Sequence, residues 1–189
     1  MLESARHYEL AFDRYLRDRR VPHVCVDEAR RLLLPTGDAT ANLKFFDYVI
    51  YGENENLLVE LKGRRLAPTR AGTTPRLECW ATQDDLTSLQ RWEALFGPPF
   101  AAVIVFVYWC DAQPAGALFE EVFESAGRWY APRVVRARDY AACMRTRSPR
   151  WRTVDLTQAD FDRISRPFTP PSAATPSVAA ATAASPHPQ

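Results

Sequence analysis

Three ionisable side chains, Asp47, Glu60 and Lys62, lie within two strand-like runs of apolar residues. The runs cover about residues 44–51 and 56–62, with a polar turn between them. Side chains alternate between the two faces of a strand, so Glu60 and Lys62 share a face. If the runs pair as an antiparallel hairpin, Asp47 comes alongside them. Charged groups are costly to bury unless they are paired or bind an ion, so this spacing predicts a cation site beside a lysine.

A simpler interpretation of the same residues also stands. In this alternative, Glu60 and Lys62 form a surface salt bridge on an exposed sheet face, where such pairs contribute little to stability. Two features favour the cation site. Asp47 supplies a second carboxylate among apolar neighbours. Lysine is also rare, because Lys44 and Lys62 are the only lysines among 24 lysines and arginines, so the placement of Lys62 is less expected by chance.

Helices and further strands are predicted on both sides of the hairpin. Capped amphipathic helices are expected over about residues 4–20 and 84–96. The nearly unbroken apolar run 101–109 predicts a central buried strand. Residues 63–77 lack periodicity and are predicted to form a loop beside the site. Beyond residue 128, one or two added strands and two short helices are expected.

The composition indicates one folded domain followed by a polar tail. With 189 residues and 47% apolar residues, the chain can bury one ordinary core, assigned to residues 1–166. Residues 167–189 are mostly Ala, Pro, Ser and Thr and are predicted to be disordered. No signal peptide and no apolar run long enough to span a bilayer is present, so a cytoplasmic protein is expected. The four cysteines do not have the spacing of a zinc site.

Charge is distributed unevenly although the formal net charge is only +1. Residues 1–127 contain 14 Lys and Arg against 19 Asp and Glu, whereas residues 128–166 contain 10 Arg against 4 Asp. A basic lobe beside an acidic one fits a protein that binds phosphates. It equally fits a protein whose two halves neutralise each other, and both interpretations stay open.

The arrangement of Asp47 and the triplet Glu60-Leu61-Lys62 resembles the PD-(D/E)XK phosphodiesterase superfamily, which includes restriction enzymes and archaeal Holliday-junction resolvases. The sequence departs from that pattern at Phe46, where the motif has proline. The resemblance implies a restriction-endonuclease-like α/β fold with an αβββαβ core. In that fold, helices flank a central mixed sheet, and here a C-terminal extension follows the core.

The resemblance also implies roles for these residues. Asp47 and Glu60 would bind Mg²⁺ or Mn²⁺ through carboxylate oxygens, with the Leu61 carbonyl as a third ligand. Lys62 would orient the attacking water or stabilise charge on the phosphate. Glu9 on the first helix is implied to face the metal, with Asp13 as its alternate.

Further candidates lie outside the motif. The resemblance implies that Gln90 on the second helix lies near the site, although an exposed position is the simpler alternative. Arginines in the region after Lys62 are interpreted as phosphate contacts, because guanidinium groups suit phosphate oxygens. These arginines are Arg64, Arg65, Arg70 and Arg76.

A second resemblance covers more of the chain. The segment His7-Tyr8-Glu9-Leu10-Ala11-Phe12-Asp13 is similar to the signature of the HYExAFE family of bacterial proteins, with Asp13 in place of its last glutamate. This resemblance implies one defined domain and no particular activity.

Two functions from different classes follow. The first is a nuclease that hydrolyses DNA phosphodiester bonds with Mg²⁺ or Mn²⁺. The second is a nucleic-acid-binding or protein-interaction domain that keeps the nuclease fold without turnover. The expected partner is DNA rather than a membrane, and a homodimer or a subunit of a repair or defence complex are the arrangements that the resemblance leaves open.

Overall fold

Helices and strands follow one another in a mixed α/β order in the computed structural model, which describes residues 3–26, 43–66, 75–114 and 120–170. The helices are α1 (Glu3–Asp18), α2 (Gln83–Phe96), α3 (Ala137–Cys143) and α4 (Gln158–Ile164). The first strands are β1 (His23–Cys25), β2 (Tyr48–Ile50), β3 (Asn56–Arg65), β4 (Ala81–Thr82) and β5 (Phe100–Cys110). The later strands are β6 (Phe123–Ser125), β7 (Arg128–Arg136), β8 (Arg145–Ser148), β9 (Thr153–Asp155) and β10 (Arg166–Pro167).

The main sheet is mixed, as predicted. Its strand order is β1-β2-β3-β5-β7-β10, and β6 pairs with β7 outside this path. Strands β3 and β5 are parallel, which requires the crossover through α2, and the other pairs are antiparallel. The observed order therefore confirms the predicted αβββαβ core, which consists of α1, β1 to β3, α2 and β5.

The alternation of side chains along β3 divides the core into two layers. Leu57, Val59 and Leu61 pack in the layer that contains the apolar residues of α1. Leu58 packs in the opposite layer, which contains residues of α2, α3 and α4. Helix α1 approaches β3 so closely that a Cβ added at Gly63 would overlap the ring of Tyr8. The predicted two-residue period of the strand is confirmed.

A small second sheet orients the start of α2. Its strand order is β4-β9-β8, and both pairs are antiparallel. The hydroxyl of Tyr140 donates to the carbonyls of Cys79 at 2.7 Å and Val154 at 3.2 Å, which attaches this sheet to the core. Because β4 runs directly into α2, the second sheet sets where the first turn of α2 lies.

The apolar run predicted as a buried strand is β5, whose residues 101–108 are all buried between β3 and β7. Within the described ranges, no helix has both the length and the apolar character needed to cross a bilayer.

Strand β3 is longer than the sequence suggested. Residues 63–65, predicted to begin a loop, continue the strand through Arg65. The parallel partner explains the extension, because β5 pairs with β3 as far as Arg65 opposite Trp109. Arg64 is therefore in the sheet and only 9% exposed, rather than in a solvated loop.

Packing of the domain also continues past the predicted boundary at residue 166. Pro167 pairs with Arg133 in the main sheet, and the Phe168 N–H donates to the Pro132 carbonyl at 3.0 Å. The Phe168 ring is buried against Phe12 of α1, with ring centroids 5.3 Å apart. The predicted disorder of the tail from residue 171 onward lies outside the described residues.

Candidate active site

The predicted hairpin brings Asp47 beside Glu60. Strands β2 and β3 pair antiparallel with Tyr48 opposite Val59, so Asp47 comes next, opposite Glu60. The Asp47 N–H donates to the Val59 carbonyl at 2.7 Å, and its Oδ2 accepts from the Leu61 N–H at 2.6 Å. These two bonds hold the Asp47 carboxylate against the edge of β3.

Glu60, Lys62 and Arg64 form a row on the face of β3 that α2 covers. Same-face residues along a strand are about 6–7 Å apart, so the row places one acid next to two successive cations along the sheet. Glu60 is 4% exposed, which excludes the alternative of a salt bridge on an exposed sheet face. Glu60 and Lys62 do form an ion pair, with Nζ 2.7 Å from Oε1, but its carboxylate is buried and its lysine is half-buried.

Two lysines and two carboxylates close into a charge ring of Lys44, Glu60, Lys62 and Asp85. The Lys62 ammonium contacts Glu60 Oε1 and Asp85 Oδ2, both at 2.7 Å. The Lys44 ammonium contacts Glu60 Oε1 at 2.8 Å and also Asp85 Oδ1. Each ammonium therefore bridges both acids, and the formal charges of the charge ring cancel. A buried carboxylate pair needs this compensation.

Helix α2 contributes Asp85 through its N-terminal cap. Thr82 is the N-cap residue and its hydroxyl accepts from the Asp85 N–H at 3.1 Å, while Asp85 Oδ2 accepts from the Thr82 N–H at 2.9 Å. This reciprocal capping box fixes the rotamer of Asp85. The same carboxylate thus caps the helix and neutralises two ammonium groups.

The backbone of Lys44 is attached to α2. Its N–H donates to the Ser88 hydroxyl at 3.0 Å, and its carbonyl accepts from the indole N–H of Trp92 at 2.9 Å. The segment before β2 is therefore docked on the helix, which carries the Lys44 ammonium to the charge ring.

The ionisation of Asp47 distinguishes it from the charge ring. Burial raises the pKa of Asp47 to about 7, and the negative charges of Glu60 and Glu9 add to this rise. The Leu61 N–H and the Lys62 ammonium oppose the rise without cancelling it. Asp47 is thus a half-buried acid whose negative charge Lys62 offsets only in part.

The pKa values of Asp85 and Lys44 shift in the directions expected of paired ions. Burial alone would raise the pKa of Asp85, but Lys62 and Lys44 hold it well below its usual range. Burial would lower the pKa of the Lys44 ammonium, yet Glu60 and Asp85 raise it above its ordinary value. Both groups are therefore charged at neutral pH.

Lys44 and Asp85 were not among the predicted site residues. Lys44 had a compositional signal in the sequence, because the charge ring contains Lys44 and Lys62, both lysines of a chain that otherwise uses arginine. An ammonium is a compact charge with rotatable donors, and it can bridge two carboxylates where a planar guanidinium imposes a fork. The rarity of lysine therefore marked both positions.

The first helix brings Glu9 into electrostatic range of Asp47, as its effect on the Asp47 pKa indicates. Its carbonyl accepts from the Tyr48 hydroxyl at 3.2 Å, which attaches this turn of α1 to β2. The alternate Asp13 instead binds Arg17 at 2.6 Å and His23 at 3.1 Å. Glu9 is therefore the helix acid near the site.

Gln90 was wrongly predicted to lie near the site. It is exposed, whereas Asp85, Ser88, Leu89 and Trp92 form the buried side of α2. The helical period decides this outcome, since Gln90 follows directly after two inward positions and points away from the sheet. Asp85 is the residue that α2 contributes to the site.

The predicted phosphate-binding arginines separate into different environments. The Arg64 guanidinium stacks 4.0 Å over the ring of Trp80 and donates to the carbonyls of Gly63, at 2.8 Å, and Trp80. Arg65 is exposed and contacts Asp111 at 3.2 Å. Arg76 is exposed, and Arg70 lies outside the described residues.

A polar cleft of about 380 Å³ lies beside this end of β3. Arg65, Arg76, Arg147 and Trp80 contribute to its lining. Glu78 and Asp155 also line it, so the cleft has mixed charge. Inside the same region, Arg64 Nε is a buried nitrogen with no hydrogen-bond partner.

The donor set around Asp47 and Glu60 fits a hard divalent cation bound by two carboxylates. Both ammonium bonds to Glu60 use Oε1, which leaves Oε2 for another ligand. Magnesium prefers oxygen donors and keeps several waters, so it needs few protein ligands. In the part of the chain that the structure describes, no cluster of three or more metal-ligating side chains occurs.

Comparisons with known proteins include a structural likeness at low sequence identity. The chain is similar to Hjc, a Holliday junction resolvase from the archaeal hyperthermophile Archaeoglobus fulgidus, with 13% identity and a TM-score of 0.48. The match covers 83% of this chain and 91% of the resolvase. No protein-family model matches the chain, and no curated protein matches it. Membership of the HYExAFE family stays a prediction.

Proposed function

We propose that this protein is a divalent-metal-dependent phosphodiesterase that cleaves DNA. The observation that carries the proposal is the position of Asp47 beside Glu60 and Lys62, with the pKa of Asp47 raised by burial to about 7. Carboxylates with a strongly shifted pKa cluster at functional sites, so the raised pKa of Asp47 supports this proposal.

In this proposal, Asp47 and Glu60 hold Mg²⁺ or Mn²⁺ through their carboxylates, with the Leu61 carbonyl as the third ligand. When bound, the ion lowers the pKa of a coordinated water and neutralises charge on the phosphate. The negative charge of ionised Asp47 is offset only in part by Lys62, and a bound cation would offset the rest. Glu9, whose charge acts on the pKa of Asp47, is proposed to contribute through a water.

Lys62 is proposed to act on the phosphate. Its ammonium contacts Glu60 and Asp85, which keep the side chain oriented in one place. A positioned ammonium that donates to a phosphate oxygen stabilises the charge that develops in the transition state. Asp85 then acts as a positioning residue, since it holds Lys62 without contacting substrate.

The arginines beside the cleft are proposed to bind neighbouring phosphates. Arg76 and Arg147 line the cleft with exposed guanidinium groups, and Arg65 joins them from the end of β3. Contacts to the phosphate backbone supply much of the affinity of nucleic-acid-binding proteins and carry no sequence information. The buried Arg64 supports Trp80 rather than the backbone of a ligand.

A binding protein without turnover is the second candidate. It is favoured by the charge ring itself, because both carboxylates in it are already compensated by Lys44 and Lys62. A cation that binds Glu60 must then compete with two ammonium groups. The two candidates differ in whether metal binds.

Titration with Mn²⁺ by calorimetry tests the proposal. Wild type is expected to bind Mn²⁺, and Glu60→Gln and Asp47→Asn are each expected to lose at least about tenfold in affinity, since each removes one of two charged ligands. Cleavage of linear, nicked, branched and single-stranded DNA with Mg²⁺ or Mn²⁺ should fall in parallel.

Glu53→Gln is the matched control for that titration. Glu53 lies in the turn of the same hairpin and is exposed, so its variant should bind Mn²⁺ as wild type does. Absence of Mn²⁺ binding in wild type would overturn the proposed enzymatic function and favour the binding protein without turnover. Metal binding without cleavage of any substrate would indicate a subunit that needs a partner.

The raised pKa of Asp47 predicts a pH dependence of stability. A carboxyl group whose pKa is about 7 in the folded state and 3.8 when unfolded stabilises the folded state below pH 3.8 and loses this contribution as pH rises to 7. The free energy of unfolding of metal-free wild type should therefore fall by about 2 kcal/mol relative to Asp47→Asn between about pH 5 and about pH 8.

Chemical denaturation of both proteins at the two pH values measures this difference. Other titrating groups are common to both proteins and cancel in the comparison. A wild-type protein that gains stability over Asp47→Asn as pH rises would contradict the raised pKa. Addition of Mn²⁺ at the higher pH should restore the wild-type stability, because the cation compensates the ionised Asp47.

A further inference from the structure

The turn between β8 and β9 carries a tryptophan that the proposed cleavage site does not use. Trp151 is 68% exposed, more than any other aromatic side chain among the described residues. A single exposed apolar residue needs no explanation by itself. The residues around Trp151 therefore decide whether this side chain could bind a ligand.

The hairpin of β8 and β9 places one arginine at the Trp151 ring and another at the ring of Trp80. The Arg150 guanidinium lies 5.2 Å from the ring centroid, and Arg147 on the same hairpin lies 5.1 Å from the ring of Trp80. Neither arginine forms an ion pair with an acidic residue in the described ranges. The hairpin thus offers an aromatic face and two uncompensated cations, which is a surface complementary to a polyanion with planar groups.

The turn holds Trp151 in a defined position. The Arg152 N–H donates to the Pro149 carbonyl at 3.2 Å, and Arg152 has φ of 48°, the left-handed conformation. The Trp151 N–H lies 3.4 Å from the Ser148 hydroxyl oxygen. Because a fixed turn lowers the entropy lost on binding, it suits a recognition element.

Contacts on both sides join the hairpin to the proposed active site. The Arg152 carbonyl accepts from the Gln83 N–H at 2.9 Å, and its guanidinium contacts Asp84 at 2.9 Å, one residue before Asp85 of the charge ring. On the other side, Trp80 lies against Arg147 and against Arg64, the end of the charged row on β3.

We propose that Trp151 and Arg150 stack on an unpaired base of the nucleic acid that the active site cleaves. The proposal rests on the proposed function, which makes nucleic acid the partner. Bases within a duplex are already stacked on their neighbours, whereas a single-stranded or branched DNA offers a free face. The hairpin therefore gives the protein a preference for DNA with unpaired bases next to the cleavage position.

Equilibrium binding in EDTA tests this inference without requiring metal or cleavage. The probes are a fluorescent single-stranded oligonucleotide, an abasic oligonucleotide of equal length and a duplex. Trp151→Ala is expected to weaken binding of the single strand by about tenfold, because one stacked base is lost. Trp151→Phe should keep most of the affinity, and the abasic strand should bind wild type and Trp151→Ala equally.

Tyr51→Ala is the matched control. Tyr51 is an exposed aromatic residue directly after β2 and is remote in sequence from the hairpin of β8 and β9. Equal affinity of wild type and Trp151→Ala for the single strand would overturn the inference. So would an equal loss for the abasic strand, because it would mean that phosphates rather than bases contact the hairpin.

Two further outcomes separate this inference from the proposed function. A concentration-dependent dimer of wild type that Trp151→Ala abolishes in sedimentation would overturn base stacking in favour of a protein interface. Single-strand binding that depends on Trp151 in a protein without Mn²⁺ binding would support the stacking role and reject the enzyme. The two proposals can therefore fail independently.

Discussion

Replacement of Lys62 by alanine is expected to lower the rate of DNA cleavage by at least about 100-fold while Mn²⁺ binding persists. The reason is that Lys62 lies on β3 beside Glu60 and is proposed to supply the donor for the phosphate, whereas the proposed metal ligands are carboxylates. Single-turnover cleavage and calorimetry on the same preparations measure the two effects separately.

Lys44→Ala is the matched variant for this prediction. Each single variant leaves one ammonium between Glu60 and Asp85, so both change the charge ring by the same amount. Lys44 is not on the strand, and its variant should lose less than about tenfold in rate. An equal loss in both variants would mean that Lys62 acts only through the charge ring, and unchanged cleavage in Lys62→Ala would mean that another site cuts the DNA.

The second large effect is on stability. Asp85→Ala is expected to lower the free energy of unfolding by about 3–5 kcal/mol, because it leaves two ammonium groups sharing one buried carboxylate. The loss of the capping box at the start of α2 adds to this cost. Urea denaturation followed by circular dichroism measures the change.

Asp84→Ala is the adjacent control. The Asp84 carboxylate is 58% exposed and forms a surface pair with Arg152, so its removal should cost less than about 1 kcal/mol. The double variant Asp85→Ala with Lys44→Ala should recover at least about 1 kcal/mol, since it restores the charge balance. Additive losses in the double variant would contradict a charge ring.

The charge ring and Asp47 differ in how far the negative charge of their carboxylates is compensated. The acids of the charge ring are compensated within the protein, and the pKa of Asp85 is low as a result. Asp47 lies beside the same strand, and burial keeps its pKa raised although the charge of Lys62 opposes the rise. The protein therefore keeps an uncompensated acid next to a compensated pair, which is the asymmetry that makes Asp47 the centre of the proposed cation site.

Several features of the fold could be predicted because they depend on neighbouring residues in the chain. The alternation of Leu57 to Lys62 indicated which side chains share a face, and the structure confirms it. The hairpin, both long helices and the buried strand β5 followed from periodicity and from turn residues. The pairing of β2 with β3 then placed Asp47 beside Glu60.

Other features depended on strands and helices that meet only in the folded chain. The extension of β3 through Arg65 required its parallel partner β5, which lies beyond α2 in sequence. Burial of Phe168 required α1, and the exposure of Gln90 depended on which side of α2 meets the sheet. Local composition had indicated a loop and a tail at the first two places, and the superfamily resemblance had implied a site residue at the third.

The sequence by itself determined that Glu60 and Lys62 share one face of a strand, because a two-residue period is a property of the strand alone. Only the tertiary structure decided what Lys62 contacts. Its second partner, Asp85, comes from the cap of a helix, and Lys44 comes from the segment before β2. These residues are distant in sequence and meet only in the folded chain. Their contacts are favourable because the two buried carboxylates need two cations beside them.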